Sequence, residues 1–308
     1  MRSGVTGPVA TGGAVLLVGL SWAMESFLGR VSISRGYGTF DFPLALNFAT
    51  VAVCGAACLG PAVRARALEG LKARWSTLVL TALALIFVPY LVLYLALGTI
   101  TPAETSLISS MTPLFSLLVG AAWFHTRIRA ATAACVALGF GGVSILIVPQ
   151  VSDPARGAQT LWYLIMLVVP LSYAVSGFFI RRAARLGSGS LQLLLATNLV
   201  SLALFAVLNR GVRLPPSARA GDLVLFAAGV VFNVLAVIAV MRLSRILSPL
   251  VLSFSNYATV LFAFLLTALC LHAGLGARPV AAAALVVAGS LLVGRTQQTA
   301  SPAPHRPS

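Results

Sequence analysis

The chain is a succession of apolar stretches, each about twenty residues long and separated from the next by a short polar or basic connection. Inside a bilayer no water is available to the backbone, so every such stretch must satisfy its own amides and carbonyls as a helix. About 20 mainly apolar residues suffice to cross, and ten segments qualify: 8–29, 42–60, 76–98, 102–124, 129–149, 160–180, 189–208, 222–242, 248–272 and 277–294. Only 9% of the 308 residues are charged, against about 25% in a soluble domain. Mean hydropathy is +0.99. The expected class is an all-α integral membrane protein of ten transmembrane helices, with little chain left for a soluble domain. The first span follows Arg2 but is long and is not closed by a small-x-small cleavage site, so it reads as an uncleaved helix.

A net charge of +15 would suggest nucleic acid in a soluble protein; here the placement of the charge gives another account. With the N-terminus inside, the inner segments hold 14 basic residues, from Arg2 through Arg64, Lys72, Arg127, Arg181, Arg185 and Arg245 to Arg306. The outer segments hold 7, among them Arg30, Arg35, Arg156, Arg210 and Arg278. The positive-inside rule then puts both termini in the cytoplasm. Nucleic-acid binding has no separate support. Cys54, Cys58, Cys135 and Cys270 all fall within apolar spans, where they act as small apolar residues. The polar tail 297–308, with Pro302, Pro304 and Pro307, reads as a disordered cytoplasmic tail.

The chain also repeats itself. Thr101-Pro102 and Ser248-Pro249, Phe115 and Phe262, His125 and His272, and Gly142 and Gly289 stand 147 residues apart. Earlier in each copy, Ser21-Trp22-Ala23 matches Ser172-Tyr173-Ala174, Phe27 matches Phe178, Arg30 matches Arg181 and Asn47 matches Asn198, at an offset of 151. The difference of four fits the longer loop after span 2. A unit of five spans is odd, so the second copy must insert upside down, and inverted repeats place a binding site near the midplane where the copies meet. The expected division is 1–150 for the first five-span repeat, 151–296 for the inverted second one and 297–308 for the tail.

Tyr94-Leu95-Ala96-Leu97, Thr101-Pro102-Ala103, Ser110-Met111-Thr112-Pro113-Leu114-Phe115 and Gly139-Phe140-Gly141-Gly142 together resemble the drug/metabolite transporter superfamily, specifically its ten-span EamA-type branch. Within the resemblance His125-Thr126 replaces a usual Glu-Arg, Asn47 stands where an Arg often begins span 2, and Val260 replaces a mid-span Pro. The resemblance implies that spans 5 and 10 brace the periphery, with a possible homodimer through them. Ala137, Gly141, Ala284 and Ala288 suit close helix packing there.

Candidate substrate-binding residues follow from polarity and position. Span 4 carries Ser106, Ser109 and Ser110 on one face, running to Pro113, and span 9 repeats the pattern as Ser253, Asn256 and Tyr257. Such a face lines a cavity or serves as glue between helices. Pro113 removes an amide hydrogen and should leave the Ser109 carbonyl free for a solute or a hinge. Glu25 is the one carboxylate well inside a span; it is a candidate for proton coupling or for a cationic part of the substrate, with snorkelling or pairing to Arg30 as the alternative. Glu104, by contrast, reads as part of a capping box with Thr101. Trp22, Tyr90 and Tyr94 could grip an apolar or planar solute, and Asn233 is a buried amide that lines the path or ties helices together.

These readings converge on a secondary active or facilitative transporter of the cell membrane, exporting small organic metabolites such as amino acids or related compounds by alternating access. The only lysine is Lys72, so no phosphate-binding Gly-x-x-x-x-Gly-Lys motif exists. No enzymatic activity, cofactor or metal is expected; the partners are the metabolite and the lipid bilayer. The alternatives are a non-transporting membrane scaffold or regulator, and an integral-membrane enzyme, for which His125, His272 and His305 are too scattered.

Overall fold

The computed structural model describes residues 8–58, 60, 65, 71–124, 130–151, 157–209, 220–243, 249–271 and 276–298, and every regular element among them is helical. In chain order these are α1 (Pro8–Ser34), α2 (Asp41–Ala57), α3 (Leu71–Ala82), a π-helical turn (Leu83–Phe87), α4 (Val88–Ala96), α5 (Pro102–Ser109), α6 (Thr112–Phe124) and α7 (Ala130–Val151). They continue with α8 (Gly157–Met166), α9 (Val168–Arg185), α10 (Ser190–Asn209), α11 (Ala220–Leu243), α12 (Pro249–Cys270) and α13 (Ala277–Gln298). Among the described residues six stretches are long and apolar enough to cross a membrane: Gly12–Ser34, Arg74–Ala96, Pro102–Trp123, Gly157–Arg185, Ser190–Asn209 and Ala220–Ala239. The other expected spans hold shorter apolar helices, Asp41–Ala57, Ala133–Ile145, Ser255–Cys270 and Ala277–Gly289. This is a multi-pass membrane protein. Its polarity is arranged accordingly, with Phe48, Val207, Leu223 and Leu269 on the outside while Ser21, Asn47, Thr81, Thr105, Thr197 and Ser201 are buried.

Three of the spanning stretches are broken, each next to a proline. Pro89 has no N–H to return to the carbonyl four residues earlier, and the chain widens into the π turn just before it. Ser172 of α9 donates a hydrogen bond of 2.9 Å to the Ala84 carbonyl inside that turn. Pro170 follows the interruption at Leu167 between α8 and α9. Pro113 follows the interruption at Ser110 and Met111 between α5 and α6. Here the sequence expectation needs correcting. The Ser109 carbonyl is not left free, because the Thr112 hydroxyl donates to it at 2.7 Å. What survives of the proline's effect is the bend.

Two pairs of positions at constant offsets use the same local devices. α1 and α9 both end on a glycine in the left-handed region, Gly36 at φ 89° and Gly187 at φ 85°, 151 residues apart. Each is closed by a matched pair of bonds: Gly36 N to the Ile33 carbonyl (3.0 Å) and Tyr37 N to that of Ser32 (3.2 Å), then Gly187 N to Ala184 (2.9 Å) and Ser188 N to Ala183 (2.9 Å). This is the Schellman closure, which a residue with a Cβ strains to adopt. Among the described residues α7 and α13 pack along each other more extensively than any other pair. A Cβ on Gly142 would come within 2.8 Å of the Ala282 carbonyl, and one on Gly289 within 2.7 Å of the Cys135 carbonyl. Positions 135 and 282 are themselves 147 apart, so the two close approaches mirror each other. Elsewhere α1 lies against α11 and α12, α9 against α3, α4 and α6, and α2 runs along α10.

Candidate functional site

Glu25 sits in the middle of the bundle. It is 4% exposed, and among the described residues it has no ion-pair partner. Arg30, the nearest basic residue along α1, instead donates to the Leu97 carbonyl at the end of α4, where a cation suits the helix C-terminus. Pairing with Arg30 is therefore unrealised. The carboxylate has aromatic surroundings, with the phenols of Tyr90 and Tyr94 on α4 and Tyr173 on α9 close enough to feel its charge. Tyr94 is wholly buried, meets Tyr90 edge-on at 5.8 Å and leans on Phe42 at 6.2 Å. Its hydroxyl completes no hydrogen bond of normal geometry among the described residues. Trp22, one turn before Glu25 on α1, is partly buried beside Val15, Val18 and Ala239.

The seryl stripe of α5 divides by what its hydroxyls do. Ser109 donates to the Thr105 carbonyl at 2.8 Å and Ser110 to that of Leu107 at 2.7 Å. Both hydrogens are turned onto their own helix, leaving lone pairs for a donor. The buried Ser106 hydroxyl has no partner among the described residues, nor does that of Ser21 on α1. On α12, Asn256 and Tyr257 are half-buried, and the Asn256 amide makes no hydrogen bond among the described residues; the side chain of Ser253 lies outside them. Asn233 of α11 is engaged, donating to the Thr50 hydroxyl at 2.7 Å and the Leu46 carbonyl at 3.3 Å. It ties α11 to α2. Pro113 lies just past the α5–α6 bend, and α5 and α12 pack on each other.

Glu104 is structural, as its spacing predicts. The Thr101 amide donates to its carboxylate at 2.8 Å, the Thr101 hydroxyl accepts from the Glu104 amide at 3.3 Å, and Tyr163 of α8 adds a bond of 2.6 Å. The carboxylate both caps α5 and fastens α8 to it.

A polar clasp at one end of the bundle is the feature that sequence reasoning missed. Arg35, just past α1, forms an ion pair with Asp222 at the start of α11, and Tyr37 donates to the same carboxylate at 3.2 Å. Burial, with the Asp222 carboxylate beside it, holds the Tyr37 phenol above its ordinary range, so it stays a donor. Asp41 accepts from the Asn209 amide at 2.6 Å and from the Gly38 amide at 2.8 Å. The position 151 residues after Asp41 is Gln192, which meets Arg74 at 3.4 Å. That position thus lacks the carboxylate found at Asp41. The available signal was the 151 offset itself: aligning Asp41 with Gln192 marks a pair of positions that differ in charge. Among the described residues no cluster of three or more His, Cys, Asp or Glu could hold a metal.

Residues 12–148 match the EamA-like transporter family. Among solved structures, one titled only as the crystal structure of a protein has a TM-score of 0.63 at 21% identity, over 94% of this chain and 99% of its own, so it shares the fold. No curated protein matches the chain.

Proposed function

Membership of the drug/metabolite transporter superfamily, supported by the EamA-like match over residues 12–148, is the premise from which we propose that this protein is a secondary transporter. It exports small organic metabolites, amino acids or related compounds, across the cell membrane by alternating access, with both termini in the cytoplasm. Two inverted five-helix repeats, 1–150 and 151–296, rock about a central cavity. Several features support the duplication: the matched Schellman ends of α1 and α9, the mirrored glycine contacts of α7 and α13, and the exchange of packing partners. The packing of α1 on α11 and α12 corresponds to that of α9 on α3, α4 and α6. A homodimer would use the exposed side of α7 and α13, where Ala137, Gly141 and Ala284 lie.

The observation that carries the mechanism is the Glu25 carboxylate, buried without a counter-ion among the described residues and close to tyrosines from both halves of the chain. A lone intramembrane acid is costly, roughly 2.5–3.5 kcal/mol at a helix centre on insertion scales, and persists where function needs it. In one facing state it takes a proton or a cationic group of the solute, and in the other it releases it. Ser109, Ser110, Asn256 and Tyr257 supply the polar wall. The Arg35–Asp222 clasp closes one end, and its opening belongs to the same cycle. Flux in proteoliposomes tests this. Solute uptake should depend on pH in the native protein and lose that dependence in Glu25→Gln; unchanged rate and pH profile would remove Glu25 from the mechanism. No flux of any metabolite across a broad panel would remove the transporter reading.

A further inference from the structure

The acidic residues of this chain are few, and the described ones are committed away from one basic cluster. Six are present in the sequence. Glu25 is buried in the bundle, Glu104 is held by Thr101 and Tyr163, Asp41 by Asn209 and Gly38, and Asp222 by Arg35 and Tyr37. α9 nevertheless ends in three exposed arginines, Arg181, Arg182 and Arg185, and none of them forms an ion pair among the described residues. The helix C-terminus attracts cations there, but with only about half an elementary charge.

One of these arginines is held in position. The Arg181 guanidinium lies over the Phe178 ring, 4.7 Å from its centroid. Phe178 in turn stacks with Trp123 of α6 at 6.1 Å and an interplanar angle of 14°. Trp123, near the end of α6, is 64% exposed. An exposed indole beside an oriented guanidinium at helix ends is the chemistry of the membrane interface, where headgroups lie. The repeat-related arginine behaves differently, since Arg30 is turned inward onto the Leu97 carbonyl. Arg181 is thus kept outward and pre-aimed, and Arg185, one turn later, adds a second charge on the same face.

We propose that Trp123, Phe178, Arg181 and Arg185 form a binding site for the headgroup of an anionic phospholipid. Arg181 and Arg185 meet the phosphate, while Trp123 lies along the upper acyl chain. The test uses the full-length protein in phosphatidylcholine vesicles doped with a brominated phosphatidylglycerol or a brominated phosphatidylcholine, reading the part of the tryptophan quenching that is lost in Trp123→Phe. The expected result is stronger quenching by the anionic lipid, weakened by salt and by roughly fivefold in apparent affinity in Arg181→Gln, with recovery in Arg181→Lys. Arg278→Gln, on another helix, should leave it unchanged. Equal quenching by the two lipids overturns the site. So does an equal loss in Arg278→Gln, which would indicate net charge alone, and so does displacement by inorganic phosphate, which would indicate a soluble anion site. None of these outcomes depends on whether a solute is transported.

Discussion

Gly141 and Gly142 are neighbours on α7 and should respond to the same substitution in opposite directions. A Cβ on Gly142 would stand 2.8 Å from the Ala282 carbonyl oxygen, 2.9 Å from Val286 Cγ2 and 3.0 Å from Leu285 Cβ. An ordinary carbon–oxygen contact needs about 3.3 Å, so α7 and α13 would have to part by about half an ångström. The obstacle includes backbone, which cannot rotate aside. Such overpacking costs about 1–3 kcal/mol, offset by the gain of about 1 kcal/mol when glycine becomes alanine within a helix. Gly142→Ala should therefore destabilise by up to about 2 kcal/mol, the difference of those ranges. Gly141→Ala meets nothing within 4 Å and should be neutral or stabilising by up to about 1 kcal/mol. Gly289→Ala, at 2.7 Å from the Cys135 carbonyl, should behave like Gly142→Ala. The assay is thermal unfolding of the purified protein in one detergent at one scan rate, because membrane-protein melting is commonly irreversible and only the ranking is then meaningful. Melting points that move together for Gly141→Ala and Gly142→Ala, or an unaffected Gly289→Ala, would refute the reasoning about the α7–α13 contact.

Asn233→Ala and Asn256→Ala separate glue from cavity. The first should lower stability by about 1 kcal/mol through the lost Thr50 bond with little change in apparent solute affinity. The second should weaken affinity with little change in melting, and transport and unfolding measured on the same preparations check both. Arg35→Gln and Asp222→Asn should each raise the accessibility of a cysteine placed at the clasped end of the bundle. The double variant should add less than the sum of the singles, with a coupling of about 1 kcal/mol or less because Arg35 is half-exposed. Strict additivity would mean that the pair does not act as a latch.

The apolar helices and the capping box were legible because each rests on residues close in sequence. Thr101, Pro102 and Glu104 need only one helical turn to find one another, and the bonds between Thr101 and Glu104 are those their spacing predicts. The consequences of Pro89 and Pro113 were not legible in the sequence. A proline's effect depends on what takes over the freed carbonyl, and that partner can come from a distant helix, as Ser172 does at Ala84, or from the next residue but one, as Thr112 does near Pro113. The clasp was hidden for a similar reason. Arg35 and Asp222 are 187 residues apart, and a positive-inside count treats each arginine as a charge near a membrane surface rather than as half of a pair. Asn233 could be recognised as buried and polar, but only the helix it faces decides whether its amide is spent.

The three helix breaks are not spread evenly. They fall in α3–α4, α5–α6 and α8–α9, with α9 packed on α3, α4 and α6, whereas α1 and the two helices it lies along, α11 and α12, run uninterrupted. Under the alternating access proposed above, two equivalent halves would give inward-facing and outward-facing states of equal energy, each being the other turned over. Articulated helices working against continuous ones would remove that degeneracy, since bending at a proline costs less than bending a continuous helix. The resting population would then lean to one side before any solute binds, and the work of returning the empty carrier would be set by the polypeptide rather than by its cargo.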